Sequence, residues 1–216
     1  MWLGMHEPVN TITNIFIIIA AWLAYRYVRR SRVPMTADLV LLLFLLTLTG
    51  IGSFLWHGLR TRWALQLDWM PGVGFLVVFT ALWFRHLFGW IIGLLAPVVM
   101  LAAAIASVVF SWRYFDFLHH VSQNLRFTPA FATITLFAVV MVLATWKKYG
   151  KRPAQLGAVL VACAIAAAVF RSIDLLVCPY FEAGTHFLWH LLLSTASCLG
   201  IVLIVWMKRA RISMTT

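Results

Sequence analysis

Residues 185–194 read THFLWHLLLS, which puts His186 and His190 four positions apart in a stretch otherwise apolar enough for a membrane helix. Side chains at i and i+4 of a helix leave one face about one turn apart. Two imidazoles spaced this way can bind one metal ion, as in helical His-x-x-x-His zinc sites. The pair alone is equally compatible with two histidines hydrogen-bonded to neighbouring helices. A third histidine, His57, stands in GIGSFLWHGL, residues 50–59. Three neutral imidazoles with an open fourth position are the donor set of a catalytic zinc ion. Ser53 precedes His57 by one turn and shares its face. Asp68, in LQLDWMP (residues 65–71), is a carboxylate at the edge of another apolar run. Such a group is costly there unless something stabilises it. A metal-bound water would do so, and so would a salt bridge to Arg60 or Arg62. Beside such a water, Asp68 has the chemistry of a general base and then a general acid. Gly50 and Gly52 are read as small residues that let helices pack closely.

Membrane helices must position these side chains. The chain of 216 residues is 63% hydrophobic and 11% charged, with mean hydropathy +0.95, whereas a soluble domain is about half apolar and about a quarter charged. Apolar runs near the length needed to cross a bilayer recur at roughly 9–28, 36–57, 66–84, 88–110, 127–146, 154–176 and 185–207. The expected fold is an all-α membrane protein, a seven-transmembrane helix bundle forming one domain over residues 1–216. The net charge of +11 does not signal nucleic acid. The cations sit at helix ends, where they set orientation and meet anionic headgroups. One set of ends carries twelve Lys and Arg and the other five, so the positive-inside rule places the C-terminus in the cytoplasm and the N-terminus outside. Cys163, Cys178 and Cys198 form no Cys-x-x-Cys pair, and neither a disulfide framework nor a thiolate metal site is expected. No cleavable signal peptide is expected either, because no Lys or Arg precedes the first apolar run.

On this map the rare polar residues share one depth. His57, Asp68, His186 and His190 fall at outer helix ends, joined by Glu7, Asn10 and Asn14 at the start of span one and by Arg171 and Asp174 at the end of span six. Asn10 and Asn14 are expected to hydrogen-bond across to span two or seven. Arg171 and Asp174, three apart, are expected to form an ion pair. His119 and His120, after Asp116, are read as solvated or gating residues of an outer loop. Trp56 and Trp189, beside the histidines, are read as core packing.

GIGSFLWH, LQLDWMP and THFLWH resemble the three signature segments of the alkaline ceramidases, within the CREST superfamily of membrane hydrolases. HEPVNTITN, residues 6–14, is similar to the family's Glu-x-x-Asn-Thr-x-x-Asn opening, and RSIDLLVC, residues 171–178, to its Ile-Asp-x-x-x-Cys segment. The matches run in family order from residue 6 to residue 190. The resemblance implies His57, His186 and His190 as ligands of one Zn²⁺ per chain, with Ser53 and Asp68 as the active-site serine and aspartate. Glu7 matches a carboxylate of the calcium site in animal members. Only six residues precede it here and none is acidic, so a calcium site of that kind is not expected. Trp69 replaces the Glu that usually follows the aspartate.

The implied activity is zinc-dependent hydrolysis of the amide bond of ceramide or a related N-acyl lipid, yielding a fatty acid and an amine such as a sphingoid base. Asp68 would move the proton and Ser53 would hydrogen-bond the developing oxyanion. The partners implied are the lipid substrate and the bilayer, with the oligomeric state left open. Two other readings share the histidines. An adiponectin-receptor-like protein belongs to the same superfamily, but such receptors usually run with the N-terminus inside. A bis-histidine haem protein would use His57 and His190 as axial ligands and give Asp68 no purpose. A zinc or proton transporter would need polar residues across both leaflets. Short length, high basicity and the lack of an Asn-x-Ser/Thr sequon fit a bacterial inner membrane, with the site near the outer leaflet.

Overall fold

The structure is a computed structural model describing residues 5–114 and 123–215. Its helices are α1 (Pro8–Thr13), α2 (Ile15–Arg30), α3 (Ala37–Leu59), α4 (Arg62–Phe88), α5 (Trp90–Tyr114), α6 (Thr128–Tyr149), α7 (Lys151–Val177) and α8 (His186–Thr215), with a 3₁₀ turn over Leu125–Phe127 before α6. Seven helical segments are long and apolar enough to cross a membrane, α1 and α2 together forming the first, Pro8–Arg30. These spans match the expected ones and extend a few residues further, because helix formation continues into the polar ends. His119, His120 and Asp116 lie outside the described residues.

The first span departs from a continuous helix at Asn14. There, side chains compete for backbone carbonyls: Thr13 Oγ1 donates to Val9 O at 3.0 Å and Asn14 Nδ2 to Asn10 O at 2.8 Å. Such local bonds weaken the regular helical pattern. They also correct an expectation. Asn14 bonds within its own helix and Asn10 Nδ2 donates to Glu7 Oε2 at 2.9 Å, so neither amide donates across to another span.

The last helix is the axis of the bundle. Half of the most apolar window of α8 is buried, against 6% for the segment containing α6, so α8 packs on several neighbours while α6 lies at the edge. Ile201, Leu203, Ile204, Val205 and Met207 of α8 are fully enclosed with Leu39, Leu42 and Trp83. Outward-facing Phe44, Ile91, Val98 and Leu136 remain exposed, as suits a surface that meets lipid. At the end of α8 remote from the histidines, three contacts fix its rotation. Lys208 Nζ pairs with Asp38 Oδ2 at 2.7 Å and donates to Thr36 Oγ1 at 2.8 Å. Trp206 Nε1 donates to Tyr27 Oη at 2.6 Å, and the Arg209 guanidinium donates to Ser31 O. The three cysteines are free thiols.

The contact between α3 and α4 matters most for the site. Arg60 ends α3 in the left-handed region (φ 56°), and only Thr61 separates it from α4, so the two helices run back along each other. Pro71, inside α4, has no N–H for the carbonyl of Leu67 four residues earlier. That oxygen lies against α3 at Gly52, where an added β-carbon would sit 1.9 Å from Leu67 O and 2.8 Å from Asp68 N. Only glycine allows this approach, and it puts Ser53 next to Asp68. The small residue expected to serve packing therefore also sets the register of two candidate site residues. Gly52→Ala is expected to destabilise the protein by about 1–3 kcal/mol through overpacking. Gly58→Ala, whose β-carbon would find its nearest neighbour, Thr11 Cγ2, at 3.7 Å, should be close to neutral; thermal unfolding in detergent compares the two.

Candidate metal centre

Two helices of the described chain carry the three histidines. His57 comes from the last turn of α3, and His186 and His190 from the first two turns of α8. The ring centroids are 5.0 Å apart for His57 and His186, 5.1 Å for His57 and His190, and 4.6 Å for His186 and His190. One ring nitrogen from each lies within 4.8 Å of the others. The sequence expectation that these three residues meet is met by the geometry. His57 and His190 are buried and His186 is half-buried.

The remaining ring nitrogens show how the rings are held. His57 Nδ1 is 2.5 Å from Glu7 Oε2, and His190 Nδ1 is 3.0 Å from Thr13 Oγ1. Both bonds come from α1 and its leading residue. That segment is itself tied to the end of α3 by Glu7 N donating to His57 O at 3.1 Å. With Nδ1 engaged, Nε2 of each ring is left for a ligand. His186 Nδ1 is buried and has no partner among the described residues. Buried polar atoms are rarely left unpaired unless a group such as an ion or water belongs there. A cluster of three imidazoles, two with an oriented outer nitrogen and one with an orphaned nitrogen, fits a bound metal ion. It does not fit a haem between His57 and His190, because the His186 ring lies within 5.0 Å of both, in the space the porphyrin plane would need.

Both carboxylate oxygens of Glu7 have partners within the protein. Oε2 receives His57 and Asn10, and Oε1 forms an ion pair with Arg60. Arg60 also stacks its guanidinium over Trp56, 4.6 Å from the ring centroid. The salt bridge that could have stabilised Asp68 thus goes to Glu7. Asp68 is half-buried and interacts with the Ser53 hydroxyl, with His57 nearby and Arg171 and Arg60 as its charged neighbours. Trp189 packs on Phe131 with centroids 5.6 Å apart, in keeping with a packing role.

Asp174 does not form the expected ion pair with Arg171 among the described contacts. Its Oδ1 accepts from the backbone N–H of Thr185 at 2.7 Å and of His186 at 2.9 Å. It caps the start of α8, satisfying donors that the helix cannot pair internally. Gly184 (φ 60°) makes this possible, since a β-carbon there would fall 2.3 Å from the same oxygen. Burial, with the charge of Asp174, raises the pKa of the nearby Cys178 thiol and keeps it protonated, so it is a poor metal ligand.

Residues 4–215, nearly the whole chain, match the family model described as Ceramidase. The chain belongs to the ceramidase family. No curated protein matches it. Membership implies a hydrolase with a lipid substrate, and the seven apolar helices make this ceramidase-family protein an integral multi-pass membrane protein.

Two residues missed as positioning groups in the sequence are Thr13 and Glu7, the latter matched only to calcium. Their sole signal was that both stand in the opening segment at the depth of the histidines. Glu7→Gln and Thr13→Val are each expected to weaken metal binding by about 10- to 100-fold, read by zinc competition against a calibrated chelator.

Proposed function

We propose that the chain is a zinc-dependent intramembrane amidohydrolase that cleaves ceramide or a related N-acyl lipid into a fatty acid and an amine. The observation that carries the reading is the group of three imidazoles, within 4.8 Å by their ligand atoms, beside a carboxylate and a hydroxyl brought together by the Gly52 contact. Family membership supports the substrate class.

His57, His186 and His190 would hold the ion, leaving a fourth position open. Bound zinc supplies a Lewis acid and a water that ionises near neutral pH. Asp68 accepts a proton from the attacking water and returns it to the nitrogen as the C–N bond breaks. The acyl carbon gains the water oxygen and the amine leaves with the proton, so the step balances without a further reactant. The Ser53 hydroxyl donates a hydrogen bond to the carbonyl oxygen as negative charge develops there. Glu7 and Thr13 hold two of the imidazoles in orientation. We place the histidine end at the outer leaflet and the C-terminus in the cytoplasm, because twelve of the seventeen Lys and Arg lie at the opposite helix ends. The acyl chain then lies among the helices and the headgroup faces the outer interface.

Metal content of detergent-purified protein, by elemental mass spectrometry, tests the centre: about one zinc per chain in wild type, lost in His186→Ala. Asp68→Asn is expected to keep the zinc and lose at least about 100-fold in turnover of an N-acyl lipid. Full activity in that variant would remove Asp68 from the reaction.

A further inference from the structure

The outward side of α5 is not an even surface. Over its second half the helix carries an open groove of about 660 Å³. Ala102 and Ala106, four residues apart, form its floor, where a methyl group leaves a hollow between larger neighbours. Val109 and Phe110 rise beside them, 60% and 56% exposed, so no other helix covers this face. In a bundle of seven apolar spans, such a face meets lipid. The groove is separate from the metal centre. All its lining residues belong to α5, whereas the histidines stand on α3 and α8.

One end of the groove is polar. It closes at Arg113 and Tyr114, in the last turn of α5, on the histidine side of the bundle. The Tyr114 ring stands against Phe110, with centroids 4.5 Å apart. Arg113 is exposed, and among the described residues its guanidinium makes no hydrogen bond and no ion pair. Its five donors are therefore open to a ligand.

The shape and the charge together define the occupant. A rise of about 1.5 Å per residue makes the groove about 17 Å long from Ala102 to Arg113. Its volume falls in the range that holds one small ligand, roughly 300–1,000 Å³. It is one helix face wide, which suits a single acyl chain. A two-chain phospholipid would leave one chain outside, and a neutral single-chain lipid would leave Arg113 unmatched. Planar guanidinium takes a carboxylate by paired hydrogen bonds. We propose that this groove binds a free long-chain fatty acid, with the carboxylate on Arg113 and the chain over Ala106 and Ala102. A fatty acid is also what the hydrolysis proposed above releases, so the groove gives that product a place on the lipid side of the bundle. The assignment uses only the groove and its cation, and it stands apart from the hydrolase reading.

The test is photolabelling of the full-length protein in detergent with a diazirine analogue of palmitate, the labelled residues being mapped by mass spectrometry. Unlabelled palmitate, hexadecanol and dipalmitoylphosphatidylglycerol compete in turn, for wild type, Arg113→Gln, Arg113→Lys and Ala106→Phe. Each variant is checked for folding by thermal melting. Label is expected on α5 between Ala102 and Tyr114, with palmitate competing about 10- to 100-fold better than hexadecanol, as for a charge-assisted contact. Arg113→Gln should bring that ratio toward one, and Arg113→Lys should keep part of it. Ala106→Phe fills the floor and should remove the label from α5. Equal competition by palmitate and hexadecanol in wild type overturns the proposal. Stronger competition by the phospholipid overturns it too, by assigning the groove to a membrane lipid, as does label that avoids α5 altogether. The readout needs no turnover, so a protein that takes the label on α5 but hydrolyses no N-acyl lipid would remove the hydrolase reading and leave the groove assigned.

Discussion

Three imidazole rings held within about 5 Å of each other inside an apolar bundle impose the constraint to which the rest of this protein responds. Each ring has two polar nitrogens, and water is scarce at that depth, so every nitrogen needs an assigned partner. The short α1 segment exists to supply two of them. Glu7 and Thr13 reach His57 and His190 from a helix too short to span anything. Asp174 holds the backbone at the start of α8, so that the first two turns present both rings to His57.

Positions of a few tenths of an ångström then depend on backbone contacts. Pro71 leaves Leu67 O without its helical donor, and Gly52 has no side chain to keep that oxygen away. The result is a close seam between α3 and α4 that brings Ser53 and Asp68 together. At the other end, Lys208 with Asp38, Trp206 with Tyr27 and Arg209 with Ser31 stop α8 from rotating. A helix fixed at both ends can hold ligands still without rigid loops around them.

The charges at the histidine end divide into two kinds. Arg60 is neutralised by Glu7 and rests on Trp56, so it serves the fold. Arg171 makes no direct ion pair among the described residues, and its charge is offset at longer range by the carboxylates of Asp174 and Asp68.

The sequence alone determined the seven spans and the depth of each polar residue, because hydropathy over about 20 residues locates a segment in the bilayer and a rise of about 1.5 Å per residue then places each side chain along the normal. That is why His57, Ser53, Asp68, His186 and His190 could be read as one group. Depth says nothing of azimuth. Which face of α1 turns inward, and so whether Asn14 or Thr13 reaches His190, depends on packing against α3 and α8. Asp174 looked like a partner for Arg171 because the two are three residues apart. Only the tertiary structure decided that its carboxylate caps α8, since two unpaired backbone N–H groups there make a nearer acceptor-seeking site than a neighbouring guanidinium. The same holds for Arg60, which lies close to Asp68 but pairs with Glu7, brought in from the start of the preceding span by folding.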